Sequence, residues 1–183
     1  MREVWEIFSE TLYLTHHFYN LQIHSFVLMN NHFHLIASTP DANISTCMYF
    51  FMKTSSYRLT RAGNRINQSY AGRYYKTILQ SHNYYLNAYK YNYQNPLVTG
   101  ITQTVESYPF STLFGLLGKS NLLIPVMEDT TLFSSVEQTL TWLNTPSDPI
   151  LRDAVAWGLK RPYFKSKRDI NSRRPILGEN DLL

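Results

Sequence analysis

The sequence predicts an α+β protein with a helical C-terminal extension, and three observations carry that prediction. Residues 21–38 hold two short strand-like segments joined by Asn30-Asn31, the pattern of a β-hairpin. That hairpin is bracketed by two segments whose apolar residues recur every three or four positions, the pattern of amphipathic helices. Helical patterning alone returns beyond Gly115–Lys119, where the composition shifts. A chain of 183 residues, 44% of them hydrophobic, suits one domain with a small appendage: a core over 1–118 and an extension over 119–183.

Val4, Phe8, Thr11, Leu12 and Thr15 place a helix from Arg2 to about Phe18. A strand follows over Leu21–Met29. The two asparagines tolerate the positive φ that a two-residue hairpin turn requires, and a second strand runs from His32 to about Ser38. Thr39-Pro40-Asp41 breaks it. A helix beginning near Asn43 or Ser45 runs to Ala62, with Gly63 as its stop. Asn64–Ala71 reads as loop and Gly72–Gln80 as a strand candidate. Ser81 caps a further helix through Asn95, ended or kinked by Pro96. Helical patterns then span about Phe133–Leu143 and Leu151–Lys160, ahead of a basic tail.

Charge distribution says more than net charge. From Ala42 to Val105 there is no Asp or Glu, while Lys53, Arg58, Arg61, Arg65, Arg73, Lys76 and Lys90 supply seven positive charges. Ten of the fourteen tyrosines lie in the same stretch, so a polyanion with stackable bases is the partner this surface suits. Arg58, Arg61, Arg65, Arg73, Lys76 and Lys90, with Tyr74, are the expected contacts. Residues 151–183 add eight basic against four acidic residues. Both patches also fit an ordinary solvated face. One cysteine, Cys47, excludes an internal disulfide and a cysteine zinc cage. No apolar run approaches a membrane span, and the first residues lack the layout of a signal peptide, so a cytoplasmic protein without a membrane partner is expected.

Two constellations could carry chemistry. In a strand, His32 and His34 share one face while Phe33 points into the core, so two imidazoles could hold a divalent metal if a third ligand came from elsewhere. The same pair also fits two half-exposed histidines without a ligand. Given the two-residue turn, His24 falls on the Phe33 face and is set aside as the third ligand, and His16-His17 reads as structural. On the helix from Ser81, Tyr84, Ala88, Tyr91 and Asn95 form one stripe, while Leu86, Tyr85, Tyr89 and Tyr93 form a core face. Two histidines, an amide oxygen and water suit Mg²⁺ or Mn²⁺ with open positions for phosphate oxygens. A tyrosine beside such an ion is a nucleophile candidate toward a phosphodiester, and the stripe offers Tyr84 and Tyr91.

The segment Phe26-Val27-Leu28-Met29-Asn30-Asn31-His32-Phe33-His34-Leu35 resembles the HUH (His–hydrophobe–His) segment of single-tyrosine, single-strand DNA transposases. Tyr91-Asn92-Tyr93-Gln94-Asn95-Pro96-Leu97-Val98 resembles their nucleophile helix, Tyr108-Pro109-Phe110-Ser111-Thr112 the motif after it, and Gly72-Arg73-Tyr74-Tyr75 an aromatic-basic strand. The group most resembled is the REP-associated tyrosine transposases, over about Val4–Gly118. The resemblance implies a ferredoxin-like antiparallel sheet with flanking helices. It implies that His32, His34 and Asn95 bind Mg²⁺ or Mn²⁺ and that Tyr91, four residues before Asn95, is the nucleophile. The implied reaction is metal-assisted transesterification on single-stranded or hairpin DNA through a 5′-phosphotyrosine, by a monomer or homodimer. The family's first strand, with its His-x-Thr-x-Arg-Gly-like segment, has no counterpart before the first helix here. Either that strand lies ahead of Met1, or another segment fills its place, or the chain is a decayed copy acting as a non-catalytic nucleic-acid-binding module.

Overall fold

The computed structural model describes residues 1–63, 70, 74–178 and 181–183. The fold is α+β, and its residues gather into two compact units, each made of two stretches of chain: 1–74 with 106–134, and 75–105 with 135–183. Among the described residues, no helix is long and apolar enough to cross a membrane.

The first unit is built on α1 (Arg2–Tyr19), β1 (Gln22–Leu28), β2 (Phe33–Ser38) and α2 (Ile44–Ala62). Asn20 ends α1 in the left-handed conformation (φ 54°), which a short polar side chain adopts at little cost. β1 and β2 form an antiparallel pair in which Leu28 faces Phe33 and Val27 faces His34. One face of this pair carries Ile23, Phe26, Leu28, Phe33, Leu35 and Ala37 against Phe8 and Leu12 of α1 and Cys47, Met48 and Phe51 of α2. Phe33 anchors the strand, with its ring 5.7 Å from Phe8 and 5.4 Å from Phe51.

Two expectations fail in the hairpin. Neither Asn30 nor Asn31 has positive φ; Met29 N–H donates to His32 O (2.8 Å), and Asn31 turns its side chain to His32 instead. His24 does not share the Phe33 face. A bulge between Ile23 and Ser25 lets Ile23 and Phe26, three residues apart, both reach the core, so His24 goes to the opposite side with Gln22 and Ser38. There its Nε2 lies 2.9 Å from Ser38 Oγ.

The edge of β1 away from β2 is covered by the Tyr108–Thr112 segment rather than by a full strand. Leu28 N–H donates to Phe110 O (2.9 Å), Phe26 N–H to Thr112 Oγ1 (3.0 Å), and Tyr108 Oη–H to Leu28 O (2.6 Å). Ser111 then caps α4 (Thr112–Leu116), and α5 (Thr130–Ser134) follows under an Asp129 cap.

The second unit centres on α3 (His82–Val98), flanked by α6 (Val136–Asn144) and α7 (Pro149–Gly158). Ser81 caps α3 as expected, accepting from Tyr84 N–H at 3.2 Å. The helix continues beyond Asn95 to Val98. Proline lacks only its own N–H, and so near a C-terminus it forfeits one bond, while Thr99 N–H still reaches Asn95 O (3.1 Å). Asp148 caps α7 through Ile150 and Leu151 N–H, with Pro149 in the first turn, two residues earlier than the apolar pattern began. In place of the strand expected over Gly72–Gln80, the described residues there make one parallel bridge, Ile78 to Tyr163.

Candidate functional site

The first unit supplies the histidine pair. Because Phe33 is held in the aromatic core, the residues on either side face away from it, and the rings of His32 and His34 meet at right angles with centroids 4.8 Å apart. Their Nε2 atoms are 3.1 Å apart. Asn31 Oδ1 lies 2.6 Å from His32 Nδ1, which assigns the proton to Nδ1 and leaves the Nε2 lone pair pointing at His34. Partial burial lowers the pKa of His32.

This donor set fits a divalent ion. Two ligands at about 2.1 Å subtending about 90° are separated by about 3.0 Å, close to the spacing observed. Among the described residues no group of three His, Cys, Asp or Glu is placed to complete such a site. His24 sits near the Asp129 carboxylate, whose charge partly offsets the downward shift that burial imposes on its pKa. His16 and His17 bond to the Leu21 and Tyr13 carbonyls, in keeping with structural roles.

The second unit supplies the tyrosine. Tyr91 is half-buried, and the Arg152 guanidinium lies over its ring at 4.4 Å. The same guanidinium donates through Nη2 to Asn95 Oδ1 (2.8 Å) and through Nη1 to Gln94 Oε1 (3.4 Å). Gln94 is fixed in turn by Ser147 Oγ and by the carbonyls of Leu143 and Thr145. Burial lowers the pKa of Arg152 and the neighbouring Tyr91 raises it. Asn95 is 7% exposed, and its Nδ2 is buried without a hydrogen-bond partner. Tyr84, the other phenol of the stripe, packs on Phe164 at 4.6 Å in an apolar cluster. Both tyrosines pack against this cluster, and Tyr91 also makes the cation–π contact with Arg152.

Arg152 was not singled out from sequence. It is 61 positions from Tyr91, and no spacing rule links the two; its only signal was membership of the basic 151–183 stretch. Its presence also changes what Asn95 offers, since the oxygen assigned by resemblance to a metal accepts from a guanidinium.

The expected nucleic-acid contacts divide. Arg61 and Lys76 are exposed. Arg58 is ion-paired with Glu10, which neutralises it, and Tyr74 packs against the core of the first unit. Lys90 does not belong to an exposed basic surface. It is 1% exposed, its Nζ donates to Leu183 O (2.8 Å) beside the Trp142 ring, and burial lowers its pKa to about 8. Arg65 and Arg73 lie outside the described residues. No protein-family model, curated protein or solved structure matches this chain.

Proposed function

We propose that the protein is a single-strand DNA transposase or nuclease that forms a 5′-phosphotyrosine through Tyr91. The observation that carries this reading is the His32–His34 pair, with Nε2 atoms 3.1 Å apart and one ring locked by Asn31. His32 is exposed and His34 half-buried, so packing does not require the two Nε2 atoms to converge; a shared divalent ion, or a hydrogen bond between the rings, does.

His32 and His34 would hold Mg²⁺ or Mn²⁺. A divalent ion bound there supplies Lewis-acid polarisation of a phosphate oxygen. Tyr91 Oη attacks phosphorus, the Tyr91 O–P bond forms, and the P–O3′ bond breaks to leave a 3′-hydroxyl that takes up a proton. A second strand's 3′-hydroxyl reverses the linkage and returns the phenol. Each step exchanges one phosphoester for another, so no nucleotide triphosphate is consumed. Arg152 supplies the positive charge next to Tyr91 on which phosphate oxygens can settle. In the same reading the first unit descends from a ferredoxin-like sheet, and the protein acts in the cytoplasm as a monomer or homodimer.

Two measurements test this. The His32→Ala, His34→Ala double variant should lose Mn²⁺ binding by titration calorimetry; retained binding would move the metal elsewhere. Wild type incubated with single-stranded hairpin DNA and Mn²⁺ should yield a denaturant-resistant adduct that Tyr91→Phe abolishes. An adduct persisting in Tyr91→Phe sinks the assignment. One observation favours a second reading, a non-catalytic nucleic-acid-binding module of the same ancestry: Arg152 occupies the Asn95 oxygen. Sequence-independent binding without any adduct in wild type would select it.

A further inference from the structure

The outward face of α2 carries a pattern that the reading above does not use. Tyr49, Lys53, Tyr57 and Arg61 follow one another at four-residue steps, aromatic alternating with basic, and all four are exposed. Four residues of helix rise about 6 Å and rotate about 40°, so the side chains form one continuous stripe that winds slowly round the helix, with the two rings about 12 Å apart along the axis. The opposite face holds Cys47, Met48, Phe51 and Ser55, all buried. Amphipathicity therefore accounts for which way α2 is turned, but not for what stands on its solvent side. Tyr49 is 65% and Tyr57 64% exposed, a large apolar area to leave in water on a helix whose core face is already complete.

The stripe is also one-signed. α2 contains no acidic residue. The nearby carboxylate of Glu10 is taken by Arg58, on a neighbouring strip of the helix, and so Lys53 and Arg61 keep their charge. Lys53 is pre-positioned, with Nζ 5.4 Å over the Tyr49 ring and 3.3 Å from its Oη.

We propose that this face of α2 is a track for single-stranded DNA, with bases stacked on Tyr49 and Tyr57 and phosphates on Lys53 and Arg61. The ring spacing sets the selectivity. Nucleotides in a stacked strand advance about 3.4 Å each, so rings about 12 Å apart take bases from an unstacked strand, and a duplex offers them none. A second copy of this chain is a poorer occupant, because two such stripes repel each other. The proposal deepens the DNA-acting reading but uses neither Tyr91 nor the histidine pair.

The test is a fluorescence-anisotropy titration of labelled oligothymidylate and of a matched duplex against the full chain. Tyr49→Ala with Tyr57→Ala should weaken single-strand binding at least about tenfold, from stacking losses of about 1–3 kcal/mol per base. Lys53→Gln with Arg61→Gln should lower the slope of log affinity against log salt by about 1.4, at about 0.7 per phosphate. Single-strand binding by wild type without any denaturant-resistant adduct would count against the nucleophile and not against the track. The proposal is overturned if both α2 double variants bind within twofold of wild type, or if duplex binds as tightly as single strand. Self-association abolished by the tyrosine pair, with no effect on DNA, would equally overturn it.

Discussion

Helices α2 and α3 both carry tyrosines and a lysine and no acidic residue, yet they place them in opposite ways. α2 puts Tyr49 and Tyr57 in water; α3 buries Tyr89 and Tyr93 completely, at 0% and 1% exposure. What differs is the company each keeps. α2 has an aliphatic and aromatic stripe to face the β1–β2 sheet, so its tyrosines are left for the outside. α3 has no such division: from Asn87 to Pro96 all but Tyr91 are buried, polar residues included, because α6, α7 and the last residues of the chain surround it. Asn87 accepts from Leu183 N–H and donates to Asp181 O, and Gln94 bonds to two carbonyls, so these two buried amides are matched, while Asn95 Nδ2 is not. A tyrosine-rich, acid-free composition is thus no interface in itself. Burial on every side turns the same residues into a core.

The largest effect that would break this comparison is at the ring positions. Tyr93→Ala should cost about 3–5 kcal/mol of stability, the usual range for emptying a buried aromatic site, while Tyr57→Ala should stay within about 0.5 kcal/mol. Urea denaturation of the two variants checks it; similar losses at both positions would mean that the exposed ring is structural after all.

The lysines sharpen the contrast. Burial holds Lys90 at about 8, below its ordinary value of 10.5, so between those limits the unfolded chain binds more protons than the folded one. Stability should therefore rise with pH from about 8 to about 10.5, by on the order of 3 kcal/mol relative to a Lys90→Met variant. Lys53→Met, on the exposed face of α2, should run parallel to wild type over that window. The readout is chemical denaturation at stepped pH. A Lys90→Met curve that tracks wild type would place the amine in water.

The smallest effect lies at the helix start. Ser81→Ala removes the acceptor for Tyr84 N–H and should cost about 1 kcal/mol. Asn43→Ala at the head of α2 should cost less through capping, since the Asn43 side chain makes no cap bond there and donates instead to Tyr19 O. Thermal melts of both resolve the difference.

Much of the fold was legible because its signals are local. The three- and four-residue steps of α1, the two strands on either side of Asn30-Asn31, and the Ser81 cap each depend on neighbours in sequence, and each element stands close to where the pattern placed it. The histidine pair was legible for the same reason: a strand's period of two decides that His32 and His34 share a side. What was not legible is set by distant residues. The bulge that turns His24 over has no local marker, since any residue can be the extra one. Arg152 reaches Tyr91 through the packing of α7 on α3, and Lys90 is sealed by Leu183 and Trp142, 93 and 52 positions away. Pro96 misled in the other direction, because a proline's cost depends on how much helix follows it, and here only two residues do.

The cover over β1 has a consequence for how the chain is made. Leu28 O waits for Tyr108, 80 residues later, and Phe26 for Thr112, 86 residues later. At synthesis rates of about 5–20 residues per second, β1 and β2 exist for roughly 4–16 seconds before the segment that closes their edge has been translated. During that interval the nascent hairpin presents unpaired N–H and C=O groups to whatever strand is nearby. Slower elongation therefore lengthens the time for which this edge stays open.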